Sequence, residues 1–363
     1  MSQPATSLPR RIITWFDAYA QAEAEKDHPD QEKWVWPVPF MVLTLSFFAV
    51  FFVGWSWPAV GVAVFLYVIR MFGITGVYHR YLSHRTYKTS RWFQFVLAYL
   101  GNSAAQRGPL WWAAHHRHHH RFSDEAEDIH SPRHTGFWNS HMLWWSRRKN
   151  VPTRTNLVPD LAKFPELVFL DRFDALAPIS IGAATVALGA FLNRFYPSLG
   201  TNALQMFVWG FCVSTVVLFH GVATINSLSH VFGSRRFQTT DTSRNNFLLA
   251  IITLGEGWHN NHHHYCNSTR QGFYWWEIDI TYYGLKLLEK MGLVWDLKPV
   301  PERILHPEAA RPRPAKEVER PHEVVPEHAT AKTRIAGVGG MLPGLTSPLA
   351  TQVPNRSPDL PNS

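Results

Sequence analysis

Four long apolar stretches are the feature that most constrains the fold of this chain. They run over residues 37–57, 59–77, 175–193 and 203–225, and each approaches the ~20 residues that an α-helix needs to cross a bilayer. Trp57 and Pro58 mark the break between the first two stretches, and a short polar stretch at 194–202 separates the other two. The pattern predicts an all-α integral membrane protein with four transmembrane helices in two hairpins.

The apolar stretches divide the chain into six regions. From about residue 301 the sequence is rich in Pro and charge and then small and polar, which predicts a disordered tail. The predicted regions are an N-terminal segment (1–36), a first hairpin (37–77), a long polar segment (78–173), a second hairpin (174–225), a second polar segment (226–302) and the tail (303–363).

Lys and Arg residues are distributed unevenly between the loops. Residues 78–172 contain fourteen of them, whereas Arg194 is the only one in the turns of the two hairpins. The N-terminal segment adds Arg10, Arg11, Lys26 and Lys33. By the positive-inside rule, both termini and both polar segments are expected on the cytoplasmic side. The net charge of +8 therefore indicates a membrane surface or an acidic partner and not nucleic acid.

Three further stretches are apolar or amphipathic without being long enough to span. Residues 93–100 and 247–254 predict short helices packed under the cytoplasmic domain. Residues 273–291 mix aromatic side chains with Lys and Glu, which is typical of an amphipathic helix at a membrane interface.

Histidine is concentrated in short motifs: seventeen of the 20 histidines precede residue 270. The motifs lie at the ends of the predicted spans or in the polar segments, on one side of the membrane. They are His79-Arg-Tyr-Leu-Ser-His84, His116-Arg-His-His119-His120, Asn226-Ser-Leu-Ser-His230 and His259-Asn-Asn-His262-His263.

The spacing of these histidines predicts how they are presented. Positions i, i+3 and i+4 share a helix face, so each of the two triplets is expected to converge on one point. His115, His118 and His119 satisfy the same spacing, and periodicity leaves both registers open. His79 and His84 do not share a face of a regular helix and are expected where the second span ends and its backbone loosens.

The number of imidazole side chains in these motifs indicates metal binding. Imidazole is a good ligand for Fe, Zn, Cu and Ni, and so many histidines exceed what one zinc site needs. Two metals with nitrogen ligands are the most economical interpretation, because histidines far outnumber carboxylates within these motifs, whereas carboxylate-bridged di-iron bundles also take a glutamate from each helix. The nearby carboxylates are expected to orient imidazole rings: Asp124, Glu125, Asp128 and Glu256.

The ordered motifs His79–His84, His116–Ser123, Asn226–His230 and Gly255–His264 resemble those of the membrane fatty-acid desaturases. The similarity is strongest to the stearoyl-CoA desaturases and bacterial Δ9 desaturases, and it extends over about residues 70–297. The resemblance selects the register with His116 first. It implies nine iron-binding histidines and an asparagine, Asn226, that holds a metal-bound water: His79, His84, His116, His119, His120, His230, His259, His262 and His263.

The resemblance further implies residues that orient the ligands or line the path of the substrate. Tyr78 and Ala223 depart from the family pattern, where a small and a larger aromatic residue are expected. The full expected set is Tyr78, Trp112, Asp124, His130, His141, Ala223, Glu256 and Trp258.

The implied activity is O2-dependent insertion of a cis double bond, Δ9 by similarity, into a saturated acyl chain carried by CoA or a lipid. Two iron ions are the implied cofactors, and electrons would come from a separate donor such as ferredoxin or cytochrome b5 with its reductase. The expected location is a bacterial inner membrane. Alternatives are a related di-iron alkyl or lipid hydroxylase, a non-catalytic membrane metal-binding protein and a membrane zinc hydrolase.

Overall fold

Three long apolar helices dominate the structure, a computed structural model that describes residues 12–28, 30, 32–35 and 38–306. Trp57–Ser83 has 27 residues, Leu176–Phe195 has 20 and Ala203–His230 has 28. At 1.5 Å per residue each reaches the roughly 30 Å of a bilayer's hydrocarbon core. We name them the first, second and third spanning helices; they correspond to three of the four predicted spans.

The first predicted span, 37–57, corresponds to a shorter apolar segment, Val38–Val53. A 3₁₀ turn at Phe47–Ala49 interrupts it, and Gly54 ends it with a positive φ of 65°. Its rise of about 24 Å is less than the hydrocarbon thickness. A fourth crossing therefore stays a prediction.

The chain turns tightly between this segment and the first spanning helix. Ser56 begins the spanning helix as an N-cap, since its hydroxyl accepts a hydrogen bond from the backbone N–H of Ala59 at 3.3 Å. Pro58 occupies the first helical turn, where a missing N–H has no cost. The two predicted elements of the first hairpin are thus adjacent in the chain and separated by a capped turn.

The second and third spanning helices form a close hairpin. A Cβ added at Gly189 would lie 2.6 Å from the Asn202 carbonyl oxygen and 2.6 Å from Cβ of Met206, so glycine is what permits this approach. The connection is a 3₁₀ turn, Pro197–Leu199, that ends on Gly200 in the left-handed region. Two packed helices therefore occupy the region predicted as the second hairpin, and the third spanning helix continues past the predicted end at 225 to His230.

The α-helices between and after the spans form the histidine-rich part of the molecule. The short helix predicted at 93–100 lies within Arg91–Asn102, and the one predicted at 247–254 is helical over Phe247–Ile252. The amphipathic stretch predicted at 273–291 is helical over Ile280–Lys290. Their bounds, with the N-terminal helices, are Ala18–Lys26, Val38–Ser46, Val50–Val53, Arg91–Asn102, Pro109–Phe122, Pro132–Thr135, Pro159–Ala162, Pro165–Arg172, Phe247–Ile252, His259–His264, Ile280–Lys290 and Glu302–Leu305.

Non-α segments complete the described fold. π-helical turns continue two spanning helices at Gly73–Ser83 and Val208–Val213, and a third occurs at Asn139–Leu143. Short 3₁₀ turns lie at Trp144–Ser146, Arg148–Asn150, Thr155–Leu157 and Leu228–His230. Strands Lys88–Thr89 and Val294–Trp295 pair antiparallel with Lys88 opposite Trp295. The predicted tail begins within the helix Glu302–Leu305, and residues 307–363 lie outside the described part of the chain.

Candidate metal centre

Nine histidines come together in two adjoining groups. Within each group the potential ligand atoms lie within 4.8 Å of one another. The rings of His120 and His263, one from each group, have centroids 4.5 Å apart. The five-histidine group contains His79, His84, His116, His120 and His262, and the four-histidine group contains His119, His230, His259 and His263.

The pair His79 and His84 is presented by the π-helical end of the first spanning helix. The backbone N–H of His84 donates to the carbonyl of His79 at 3.2 Å, the i to i+5 bond of a π-helix. This wider turn brings both rings to one side, with centroids 4.9 Å apart. The predicted loosening of the backbone is present, and its form is a π-helix.

The helix Pro109–Phe122 carries the second motif and is anchored by a distant carboxylate. Gly108 precedes the helix and offers no side-chain cap. Instead, Asp171 accepts the N–H groups of Leu110 and Trp111 at 2.9 and 2.8 Å. A Cβ at Gly108 would lie 2.3 Å from an Asp171 oxygen, so the cap requires glycine there. The anchor fixes the position of a helix that serves both groups.

The helix His259–His264 is too short to hold its position by itself, and its two asparagines tie it to the surrounding loops. Asn260 Oδ1 accepts the N–H groups of Arg236 and Phe237, both at 2.8 Å. Asn261 donates to the carbonyl of Gln271 at 3.0 Å and to Glu277 at 2.8 Å. The non-histidine positions of this motif therefore have a structural role that spacing did not reveal.

The expectation that each triplet converges on one point is wrong. His116 and His120 belong to the five-histidine group while His119 belongs to the other; conversely, His259 and His263 share the four-histidine group and His262 does not. At about 100° per residue, positions i+3 and i+4 lie about 100° apart around the axis, wide enough to face two centres. Each helix thus contributes to both groups.

Imidazole nitrogens in the two groups are unusually close. The Nε2–Nε2 distances are 2.8 Å for His84–His116, 2.9 Å for His120–His262 and 3.0 Å for His79–His262. Two ligands at 90° on a metal with bonds of about 2.1 Å would be about 3.0 Å apart, whereas tetrahedral ligands would be about 3.4 Å apart. The rings are therefore close enough together for their nitrogens to bind one metal ion.

Four carboxylates contact the outer nitrogens of the histidines. Nδ1 of His119 lies 3.1 Å from Asp128, that of His230 lies 3.2 Å from Asp124, and that of His263 lies 2.6 Å from Asp241. Glu256 contacts Nδ1 of His79. Such contacts fix the tautomer and leave Nε2 for a metal.

Two corrections to the sequence interpretation concern these carboxylates. Glu125 was expected among them, but its side chain is exposed and contacts no histidine ring in the described part of the chain. Asp241 was not anticipated, because it lies 22 residues before His263 in a polar loop without helical spacing. Gln271 was also missed; its amide donates to Glu256 at 3.0 Å beside His79.

Two arginines of the motifs connect the histidine segments. Arg80 is buried between Glu256 and Asp279, at 3.1 and 2.9 Å. Arg117 donates to the carbonyls of Leu82 and Ser83 at 2.8 and 3.0 Å, which places its charge at the C-terminal end of the first spanning helix. Both side chains position the segments that present the rings.

Burial determines the protonation of the rings. It lowers the pKa of His84, His116, His120 and His262 well below the ordinary value, so these imidazoles are neutral and retain a lone pair for a metal. Burial also lowers the pKa of His263, to about 4 against the opposing effect of Asp241. Burial acts to raise the pKa of Asp241, but the hydrogen bond from His263 holds it well below its usual range.

Three adjacent histidines lie outside both groups. His115 is buried, with Nδ1 2.8 Å from the carbonyl oxygen of Trp111; Nε2 of His118 lies 3.0 Å from the carbonyl oxygen of Glu127; and His264 stacks on Phe237. The structure therefore assembles the register that begins at His116.

Two narrow cavities of about 80 and 40 Å³ adjoin the groups. Both are lined by Trp112, His116, Val222 and Asn226, and the ring of Trp112 stacks on His116 with centroids 5.0 Å apart. The larger cavity also contacts three further residues of the expected substrate path: His130, His141 and Ala223.

The other two residues of the expected path lie behind these walls. Tyr78 is buried against Trp112, with ring centroids 5.9 Å apart, and lines neither cavity. Trp258 donates its indole N–H to the carbonyl of Ile278 at 2.8 Å and also lines neither. Both support the fold around the site and do not face the cavities.

The donor set fits two metal ions. The nine rings are neutral or paired with carboxylates, and their inner nitrogens converge at ligand separations. Nε2 of His263 is buried and has no hydrogen-bond partner among the described residues, while Nδ1 of the same ring is held by Asp241. A metal ion would satisfy this nitrogen.

The chain is similar in sequence to proteins of a known family. Residues 55–296 match the family "Fatty acid desaturase". The chain is 39% identical to the chloroplastic palmitoyl-monogalactosyldiacylglycerol delta-7 desaturase of Arabidopsis thaliana, over 67% of this chain and 63% of that protein. It is 35% identical to the sn-2 palmitoyl-lipid 9-desaturase of Nostoc sp. (strain 36), over 74% and 91% of the two chains. It is 38% identical to the acyl-CoA 5-desaturase AL21 of Anemone leveillei, over 69% and 74%.

The relatives' names differ in acyl carrier and bond position but agree on the reaction. The match covers the histidine motifs, the three spanning helices and the loops that supply the carboxylates. The chain therefore belongs to the fatty acid desaturase family.

Proposed function

We propose that this protein is an O2-dependent fatty-acyl desaturase that inserts a cis double bond, at Δ9, into a saturated acyl chain. The observation that carries the proposal is the convergence of nine histidines in two groups beside cavities lined by Trp112 and Asn226. In the reaction, two hydrogen atoms from adjacent methylenes, two electrons and two protons reduce O2 to two molecules of water.

Two iron ions are the proposed cofactors. His79, His84, His116, His120 and His262 would hold one, and His119, His230, His259 and His263 the other, with Asn226 completing the second site through water. Bound iron would supply O2 reduction and hydrogen abstraction. The ligand separations and the neutral imidazoles support this assignment.

The protein's own residues would position the substrate. Trp112 stacks on His116 and lines both cavities, so a chain that passes through them runs along its indole face. Apolar walls exclude water, and Met71, Ile74 and Val222 continue the smaller cavity beyond the histidines. Fixing one C–C bond beside the metals would determine the position of the double bond.

The proposed orientation places both termini and the histidine groups on the cytoplasmic side of a bacterial inner membrane. The excess of Lys and Arg in residues 78–172 supports it. A separate donor protein, such as ferredoxin or cytochrome b5 with its reductase, would deliver electrons from that side. Cysteine-accessibility mapping at residues 88 and 198, on opposite sides in this topology, would test it.

Expression in a host that lacks its own desaturase tests the function. Gas chromatography of total fatty acids, with location of double bonds, is expected to show a new cis-Δ9 product, and the purified protein is expected to contain about two irons per chain. A hydroxylated product would identify a hydroxylase, and variable zinc without oxygen consumption would contradict the proposal.

A further inference from the structure

A large apolar groove lies beside the cavities and away from the histidines. Its volume is about 760 Å³. Four parts of the chain form most of its walls: the N-terminal stretch that leads into the helix Ala18–Lys26, the helix Val38–Ser46, the second spanning helix and the third spanning helix, which contributes Phe207 and Phe211. The second spanning helix contributes residues that recur on one face, namely Pro178, Ile179, Gly182, Ala183 and Val186.

The groove follows the spanning helix and has two chemically different ends. From Pro178 to Val186 it extends about 12 Å along the helix axis, at 1.5 Å per residue. Its other end is polar and lies where the helix begins, with Gln21, Arg107 and Asp174. An apolar length beside a polar end matches a lipid lying parallel to the helix.

The groove continues into the larger cavity at the metal centre. Phe40, Ala105 and Trp145 line both spaces, and the cavity then reaches His116 and Asn226. A single extended chain could therefore occupy the groove and the site together. This continuity makes the groove part of the route to the histidines.

Two buried hydrogen-bond donors lie near the place where the groove meets the larger cavity. Nε2 of Gln106 and Nε1 of Trp145 are buried and have no hydrogen-bond partner among the described residues. Both side chains line the cavity, and the neighbours of Gln106, Ala105 and Arg107, have positive φ values of 57° and 68°. Buried donors of this kind need an acceptor, such as an ester carbonyl.

The charge of the groove disfavours a nucleotide-bearing acyl carrier. Among the groove residues that the structure describes, the charged ones are Glu25, Arg107 and Asp174. Arg107 lies 3.5 Å from Asp174 and donates to Gln21 at 2.7 Å, and Glu25 pairs with Arg148. Because each of these charges is paired within the described part of the chain, the groove lining offers little net attraction for the several negative charges of CoA.

We propose that a saturated acyl chain of an uncharged or zwitterionic membrane glycerolipid enters the site sideways through this groove. The lipid headgroup lies near Arg107, the ester carbonyl accepts hydrogen bonds from Gln106 and Trp145, and the acyl chain passes through the cavity to the histidine groups. The inference rests on the proposed desaturase function and deepens it by naming the acyl carrier.

Blocking the groove tests the route. Ala183→Trp would fill it, and Ala184→Trp is the matched control, because Ala184 is also exposed on this helix but does not line the groove. The iron-loaded proteins are assayed in nanodiscs with ferredoxin and its reductase, using phosphatidylcholine with palmitoyl or stearoyl chains, or the CoA esters. Ala183→Trp is expected to lower lipid desaturation at least about tenfold, through lost methylene contacts, while Ala184→Trp retains it.

A binding readout separates this inference from the proposed function. Phosphatidylcholine with a photoreactive acyl chain is expected to label peptides containing residues 38–43 and 178–186, and Ala183→Trp but not Ala184→Trp is expected to reduce the labelling. Desaturation of CoA esters only, or equal labelling of both variants, would overturn the lipid route. Specific labelling of a protein that desaturates neither substrate would support the route and contradict the proposed function.

Discussion

The two histidine groups differ in how their rings are held. In the four-histidine group, three rings contact a carboxylate through Nδ1: His119, His230 and His263. In the five-histidine group, among the described residues, Glu256 is the only carboxylate that contacts a ring, at His79. The four-histidine group has fewer imidazoles but more negative charge around it.

This difference indicates two distinct environments for the proposed iron ions. Carboxylates on the outer nitrogens make imidazole a stronger ligand and offset the charge of a cation. In the five-histidine group, four rings are neutral because burial lowers their pKa: His84, His116, His120 and His262. Because the helices Pro109–Phe122 and His259–His264 contribute to both groups, the two environments are built on the same scaffold.

The largest expected effect comes from removing one ligand from either group. His119→Ala and His262→Ala are each expected to lower desaturation by more than about a thousandfold, because both metals must act together. Iron content would fall to about one per chain in each variant. Product formation and metal analysis on the membrane-inserted protein would measure these effects.

His118→Ala is the matched control for His119→Ala. His118 is the adjacent residue, is half-buried and contacts a backbone carbonyl instead of the groups. It is expected to retain activity and two irons. Activity retained in both His119→Ala and His262→Ala would refute the ligand assignment.

Replacing a carboxylate would test the asymmetry of the two groups directly. Asp241→Asn is expected to weaken one iron site by about 10- to 100-fold, since His263 loses its anionic partner. Glu256→Gln is expected to weaken the other iron site, because His79 loses its anionic partner. Titration with a chelator, followed by spectroscopy of the remaining metal, distinguishes the sites. Loss of the same iron in both variants would contradict the division into two groups.

Because one helix carries histidines of both groups, a substitution that loosens this helix is expected to affect both groups alike. Asp171→Ala removes the cap from Leu110 and Trp111 and leaves two buried N–H groups without an acceptor. The expected cost is about 1–3 kcal/mol in the free energy of unfolding. Thermal unfolding in detergent would measure it. Arg172→Ala is the adjacent control, because its partner Asp17 lies outside both groups. Loss of iron from one group alone would contradict a shared anchor.

The smallest expected effect is a decrease in the free energy of unfolding at acid pH. The pKa of Asp128 and of Asp241 lies below the ordinary value, although burial opposes this shift. For Asp128 the charge attraction and the hydrogen bond of His119 lower the pKa, and for Asp241 the hydrogen bond from His263 does so. Their contribution to stability is therefore complete above the unfolded pKa of about 4 and is lost as pH falls through the lower folded pKa.

We expect this loss to reach about 1 kcal/mol or more per carboxylate. The measurement is the unfolding free energy of the metal-free protein between pH 6 and acid pH, compared with that of Asp241→Asn. The variant should show a shallower decline, and an identical decline would contradict the role of Asp241.

Sequence reasoning anticipated the individual histidines but not how they are combined. The order and flanks of the motifs selected the same nine residues that the structure brings together. Helical periodicity gives the direction in which a side chain projects from the axis of its helix. It does not say which part of the protein packs against that side of the helix. It therefore missed the division of His116, His119 and His120 between two groups.

The carboxylates show the same limit. Asp124 and Asp128 lie close to the second motif in the chain, and proximity was enough to suggest them. The same proximity suggested Glu125, whose side chain lies on the surface. Asp241 reaches His263 only because the loop between them folds back, and local patterns cannot reveal such a contact.

The sequence by itself determined the helical class, three helices long enough to span a bilayer and the residue types of the metal centre, because apolar length and motif spacing are local properties. Only the tertiary structure decided which nitrogens share a centre, which carboxylates orient them and that a groove along the second spanning helix meets the cavity. Those features depend on distances between elements far apart in the chain, which packing alone determines.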